Sequence, residues 1–244
     1  MTHTSSRSAV VFDFDGTLTP KKTGSLFSVV DAAALSPAAN AEMQRLRTLY
    51  LGRAVNGTLT IEEETSWLEE TLVAYIKDGL TQDRVRESLR GVVLRPGVVE
   101  CLEWLWRFGV PVAIVSYGAT PFIEEVLEQN GTRSYIDRIF SATMEVSPES
   151  ARFHSYDRAS FVLPVDKGGW SRWFATTHGV LHENLIAVGD SGGDKHLGHL
   201  KERRLGIAKD DADAAKMTQF MGEVIVTEDF APVTDWLRRT LNRT

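Results

Sequence analysis

Cysteine is nearly absent: Cys101 is the single one in 244 residues. No intrachain disulfide can form, and a reducing, cytoplasmic setting is the default expectation. Cys101 lies in a helical pattern, Val98 to Leu105, where a small buried hydrophobe is expected rather than a reactive thiol. Long apolar runs are missing as well. No stretch approaches the roughly 18 residues of a membrane helix, and Met1 to Ser8 lack the apolar core of a secretory leader. Positive charge is in deficit, with a formal net charge of −6. That argues against a nucleic acid polymer as the main partner. A small anionic substrate stays compatible, because local charge can oppose the total. No Gly-x-x-x-x-Gly-Lys-[Ser/Thr] loop occurs, which disfavours P-loop nucleotide chemistry. His178, His182, His196 and His199 have neither a cysteine companion nor His-Glu-x-x-His spacing, so a solvated helix face is expected instead of a zinc site.

What is present is an apolar strand that ends in charge. Val10-Val11-Phe12-Asp13-Phe14-Asp15-Gly16-Thr17-Leu18-Thr19 sets two aspartates one residue apart at the end of a strand read over about Ala9 to Phe14. Leu185-Ile186-Ala187-Val188-Gly189 repeats the pattern and delivers Asp190-Ser191-Gly192-Gly193-Asp194. Burying like-charged carboxylates together is costly without a cation. Four of them at two strand ends, with Lys167 upstream of the second pair, point to a magnesium-dependent phosphoryl-transfer site. Taken singly, Asp13 and Asp15 could merely form turns, Asp190 and Asp194 could cap a helix, and Lys167 and Ser116 could be a surface lysine and a turn cap. The two acid pairs together favour the site.

Between these motifs the pattern changes character. From about Ser25 to Arg95 it is helical only. Ser36-Pro37 starts a helix with Met43, Leu46, Leu49 and Tyr50 on one face and a stop at Gly52. Thr60 and Glu63 form a capping box for a helix carrying Trp67, Leu68, Leu72, Tyr75 and Ile76. Thr81 caps a third helix with Val85 and Leu89. Glu62, Glu63, Glu64, Glu69 and Glu70 read as a solvated face, and Lys21-Lys22 as a solvated loop that could draw an anion to a pocket mouth. After Arg95-Pro96-Gly97 strands and helices alternate, with strands expected at Val110–Val115, Tyr135–Ser141, Leu185–Gly189, Leu205–Ala208 and Val224–Val226, and a hairpin arm at Ser160–Val165. Such alternation gives a doubly wound parallel sheet of the α/β class, and ligands bind beyond the carboxyl ends of its strands. Both aspartate pairs and the Ser116-Tyr117-Gly118 turn fall there.

The chemistry suits those residue types. A carboxylate can attack phosphorus, and a second carboxylic acid can protonate the leaving oxygen and then deprotonate water. Clustered carboxylates suit magnesium, and a lysine binds phosphate as a point charge.

Asp13-Phe14-Asp15-Gly16-Thr17-Leu18-Thr19 resembles the first motif of the haloacid dehalogenase superfamily. Ser116 after its strand, Lys167, and Gly189-Asp190-Ser191-Gly192-Gly193-Asp194 are similar to the second, third and fourth, in the same order. The resemblance is to phosphoserine phosphatase-like and 5′-nucleotidase-like phosphatases with a small helical cap. It implies a Rossmann-like core over 1–24 and 92–244 and a helical cap over 25–91. It implies Asp13 as nucleophile, and Asp15 as general acid/base offering its backbone carbonyl to Mg2+. Gly16 and Thr17 would shape the turn and donate to phosphate. Ser116, with Tyr117 and Gly118, would bind phosphoryl oxygens, and Lys167 would steady the nucleophile and the transferring group. Asp190 would ligate the metal, and Asp194 would ligate it or pair with Lys167. Asp15 favours a phosphatase over a dehalogenase. Gly16, and Ser116-Tyr117-Gly118 in place of Ser-Gly-Gly, depart from the serine phosphatases. The expected partner is a small phosphorylated metabolite: phosphoserine, a nucleoside monophosphate or a sugar phosphate. A phosphotransferase or mutase on the same site, and a non-catalytic phospho-ligand-binding relative, are the competing expectations.

Overall fold

The computed structural model describes residues 7–242. Residues 1–6 and 243–244 lie outside them. Strands β1 (Ala9–Phe12), β2 (Val112–Ala119) and β5 (Leu185–Gly189) are buried along nearly their whole length. Strands covered on both faces are stable as parallel neighbours joined by crossover helices. With β3 (Arg138–Val146), β4 (Phe153–Asp157), β6 (Arg204–Ala208) and β7 (Glu223–Val226) they form a seven-stranded sheet of order β4-β3-β2-β1-β5-β6-β7. Every neighbouring pair is parallel except β3 and β4.

Helices α1 (Leu26–Ala34), α2 (Pro37–Val55), α3 (Ile61–Lys77) and α4 (Gln82–Leu89) follow β1, and α5 (Val98–Arg107) leads into β2. The remaining crossovers use α6 (Thr120–Gln129), α7 (Lys167–Thr177) and α8 (Asp211–Met217), and α9 (Ala231–Leu241) ends the fold. The period of two along β1 divides the core. Val10 and Phe12 join a cluster with Phe122 and Leu237 that runs on into Leu46, Leu68 and Tyr75 of the helical segment. Ala9 and Val11 face Phe174 of α7 and Leu185. Among the described residues no helix is long and apolar enough to cross a membrane.

Several boundaries differ from the sequence expectations. The α2 helix runs through Gly52, a tolerable interior glycine costing about 1 kcal/mol against alanine, and ends before Gly57, whose φ is +64°. Leu49 leaves the apolar stripe and is 48% exposed, whereas Met43, Leu46 and Tyr50 are buried. The hairpin arm is Phe153–Asp157, not Ser160–Val165. Phe161, Val162 and Leu163 are buried but irregular. Pro164 ends any pairing there, and Phe153 is tied to the helical segment by its N–H to the Leu80 carbonyl at 3.0 Å. Ser116-Tyr117-Gly118 is not a free turn. It is the bulged end of β2, whose register to β3 shifts between Val115 and Ala119.

The chain adds β2 to one side of β1 and later β5 to the other. That reversal leaves a crevice at the carboxyl ends of the two neighbours. The Asp13 amide bonds the Val188 carbonyl at 3.0 Å, setting the end of β1 against the end of β5.

Candidate active site

Beyond Phe12 the chain leaves the sheet through a turn in which Leu18 donates to the Phe14 carbonyl at 2.9 Å. Gly16 sits in that turn at φ +78°, and a Cβ there would collide with the Asp190 carboxylate. Its amide bonds Thr19 Oγ1 at 3.1 Å, so it serves the turn rather than pointing at a ligand. Thr17 is fully buried, and its hydroxyl donates to Asp190 Oδ1 at 3.3 Å. The side chain that was expected to reach phosphate therefore holds a carboxylate.

Asp13, Lys167, Asp190 and Asp194 are all buried and meet at one place. Lys167 Nζ donates to Asp13 Oδ1 and to Asp194 Oδ1, each at 2.7 Å. The other oxygen of Asp194 accepts from the amides of Asp190 and Ser191, both at 3.0 Å. Asp194 thus pairs with Lys167 and ties down its own loop. Gly189 permits this, since a Cβ there would lie 2.5 Å from Asp194 Cβ. Carboxylate oxygens of Asp13, Asp190 and Asp194 fall within 4.8 Å of one another. The Asp15 side chain is outside that group because its Oδ1 accepts from the Leu26 amide at 3.2 Å, at the start of α1.

Ser116 is buried at the end of β2 and accepts from the Gly118 amide at 3.1 Å, which leaves its own proton to donate. Tyr117 lines the same cavity but commits its hydroxyl, which donates to the Glu64 carbonyl at 2.9 Å and joins β2 to α3.

The electrostatics are those of crowded carboxylates. Burial, and then the charge of Asp13, push Asp15 up to about 8. Burial, Asp13 and Asp194 push Asp190 up to about 7 against the opposing pull of Lys21. Burial raises Asp13 to about 6 although Lys167 opposes it. Burial alone would lower Lys167; Asp13 and Asp194 outweigh it, and the ammonium is held well above its ordinary range. Against Asp13, Asp190 and Asp194, Lys167 and a Lys21 that is shared with Asp213 leave net negative charge uncompensated. A hard divalent cation with oxygen ligands matches that deficit and that donor set.

Three residues around the site were not legible as such. Arg95 is fully buried and donates to the carbonyls of Gly16 at 2.6 Å, Thr19 at 3.3 Å and Thr227 at 2.9 Å. It clamps the acid-bearing turn, and no spacing in the sequence marks it. Lys21 is no solvated loop lysine: Nζ bonds the Asp190 carbonyl at 2.8 Å and Asp213 Oδ2 at 2.6 Å. Its position just after the first acid pair was the available signal. Glu64 likewise leaves the solvated face and lines a cavity of about 430 Å3 that runs from Asp13 and Asp15 between α1, α2 and α3.

This arrangement of sheet, strand-end acids and lysine defines a hydrolase class. The chain belongs to the haloacid dehalogenase-like hydrolase family, whose model matches residues 10–199. A phosphoserine phosphatase of Archaeoglobus fulgidus is 27% identical over 199 residues, covering 82% of this chain and 51% of that one. A 2-hydroxy-3-keto-5-methylthiopentenyl-1-phosphate phosphatase of Microcystis aeruginosa is 30% identical over 149 residues, 61% of this chain and 63% of that one. The chain therefore spans between half and two thirds of the length of these relatives. Among solved structures, cytosolic 5′-nucleotidase IIIB bound to cytidine superposes with a TM-score of 0.78 at 19% identity, covering 97% of this chain and 86% of that one. A phospho-aspartyl intermediate analogue of phosphoserine phosphatase gives 0.67 at 18% identity, with 95% and 99% covered. These two establish a shared fold.

Proposed function

We propose that the chain is a magnesium-dependent phosphatase that hydrolyses small phosphate monoesters through an aspartyl-phosphate on Asp13. The observation that carries this reading is one buried cluster, in which Lys167 bridges Asp13 and Asp194 beside Asp190 at the ends of adjacent central strands. The names of the relatives and the phospho-aspartyl analogue among the solved neighbours support it. The helices over 25–91 act as a cap on a core formed by 1–24 and 92–244, and close over the substrate to exclude water. The buried lone cysteine is in keeping with a cytoplasmic setting.

Asp13 starts as a carboxylate oriented at Oδ1 by Lys167. It attacks phosphorus, the bond from phosphorus to the alcohol oxygen breaks, and Asp15 gives its proton to the departing oxygen. The raised Asp15 carboxyl is protonated at neutral pH, as this step requires. Asp15, now ionised, takes a proton from a water that attacks the phosphoryl group. The bond from phosphorus to Asp13 breaks, and phosphate and free Asp13 result. Ser116 donates its spare proton to a phosphoryl oxygen, and the third ammonium proton of Lys167 does the same. Asp13, Asp190 and the Asp15 backbone carbonyl would hold Mg2+, with Asp194 keeping Lys167 in place. The bound ion would supply charge neutralisation of the transferring group.

The test is phosphate release from a panel of phosphomonoesters with Mg2+ and with EDTA. Release that needs Mg2+ and vanishes in Asp13→Asn is expected. Unchanged hydrolysis by Asp13→Asn refutes Asp13 as nucleophile. Silence across the panel with Mg2+ bound returns the reading to a phospho-ligand-binding protein.

A further inference from the structure

We infer that the alcohol this site releases presents an apolar ring, packed against Trp67 and Tyr117, with a hydrogen-bond donor turned to Glu64. The inference rests on the phosphatase reading and concerns the far end of the same cavity. Past the acids, the walls are apolar: Phe27 from α1, Met43 and Leu46 from α2, Trp67 and Leu68 from α3, and Tyr117 from the end of β2. Trp67 is fixed from behind. Tyr50 stacks on it at 5.8 Å between centroids, and Tyr117 meets it at 6.3 Å with the planes 53° apart. A ring gains a preformed aromatic surface here, whereas a short polar alcohol leaves that surface wet.

Arg47 is the cation among the cavity-lining residues of the helical segment, and it is already paired. Its Nη2 donates to Asp31 Oδ2 at 2.6 Å and to Ser28 Oγ at 3.0 Å. The second oxygen of Asp31, itself only 3% exposed, accepts from the Tyr75 hydroxyl at 2.6 Å. Arg47 is thus paired through Nη2, and Asp31 is closed by Tyr75. Glu64 lines the same cavity, and its carboxylate has no hydrogen-bond partner among the described residues. It accepts from a hydroxyl or an N–H. The Tyr117 hydroxyl bonded to the Glu64 carbonyl fixes this selective wall relative to Ser116, one residue away. Position along the cavity, not chemistry at phosphorus, then decides which alcohol fits.

The experiment compares kcat/KM, with Mg2+ present, for four alkyl phosphates: benzyl phosphate, uridine 5′-monophosphate, glycerol 1-phosphate and phosphoserine. All four release an alkoxide, so the comparison reads the cavity. The two ring-bearing substrates are expected to exceed the other two at least about tenfold. Their order relative to each other separates a plain ring from one bearing N–H and hydroxyl donors. Trp67→Ala lowers the benzyl to glycerol ratio about tenfold, and Trp67→Phe keeps most of it. Glu64→Gln lowers uridine 5′-monophosphate relative to benzyl phosphate, which has no donor, about tenfold. Phosphoserine turned over as well as benzyl phosphate overturns the inference and leaves the phosphatase reading standing. So does a benzyl to glycerol ratio untouched by Trp67→Ala. Release from none of the four overturns the phosphatase reading. Calorimetric binding of benzyl phosphate and phosphoserine to Asp13→Asn then decides the preference by itself, with equal affinities overturning it.

Discussion

Removing divalent cation from this protein has a cost that depends on pH, and its sign follows from the buried acids. Asp13, Asp190 and Asp15 are raised to about 6, 7 and 8 from an ordinary 3.8. Folded-state values above the unfolded ones mean that the metal-free fold holds extra protons between about pH 4 and pH 8. The associated stability is fully present below about pH 4 and is lost as pH rises through about 6 to 8. Each tenfold displacement of a proton equilibrium is about 1.4 kcal/mol, and the three raised acids together cost more than a single bound cation returns. Mg2+ at a hundred times its dissociation constant returns about 2.7 kcal/mol. For a chain of this size that raises Tm by about 5–10 °C at pH 8. At about pH 5 the carboxyls keep their protons and the gain shrinks toward zero. Scanning calorimetry in Mg2+ and in EDTA across this range reads the difference directly. Asp190→Asn, with one buried charge fewer, shows a shallower pH dependence in EDTA and a smaller gain from Mg2+. A gain of equal size at both ends of the range, or none at the alkaline end, refutes a divalent cation in this cluster.

Other outcomes follow from single contacts. Asp15→Asn slows hydrolysis of alkyl phosphates by about 10²–10⁴, whereas 4-nitrophenyl phosphate, whose leaving group needs no proton, gives a burst of nitrophenolate before slow turnover. Absence of the burst removes Asp15 from the acid role. Arg95→Met strands the carbonyls of Gly16, Thr19 and Thr227 and costs roughly 3–5 kcal/mol in urea unfolding; a loss below about 1 kcal/mol contradicts the clamp. Tyr75→Phe leaves buried Asp31 with Arg47 alone and costs about 1–3 kcal/mol by the same measurement.

The alternation of apolar strands and helices carried the sheet class, because parallel strands buried on both faces read as continuous Val/Ile/Ala runs. The caps at Ser36, Thr60 and Thr81 were equally legible, since each satisfies amides within three residues. The hairpin was misread because the buried run Phe161–Leu163 looks like a strand until its hydrogen-bond partners are known. Leu49 was misjudged by the same local logic. The acids and Lys167 stood out because charge at the end of an apolar strand is expensive unless it is used. Arg95, Lys21 and Glu64 did not stand out, because a charged residue beside a loop or on a helix is ordinary until its partners are in place.

By itself the chain determined its fold class, most of its strands and helices, and the carboxylates that stand at two strand ends, since those follow from local periodicity and residue type. Only the tertiary structure decided that Thr17 serves Asp190, that Asp194 belongs to Lys167, and that Asp31 pairs with Arg47. Those pairings span 16 to 173 positions along the chain. Such contacts depend on how layers pack, and no local pattern encodes which distant group completes a buried charge.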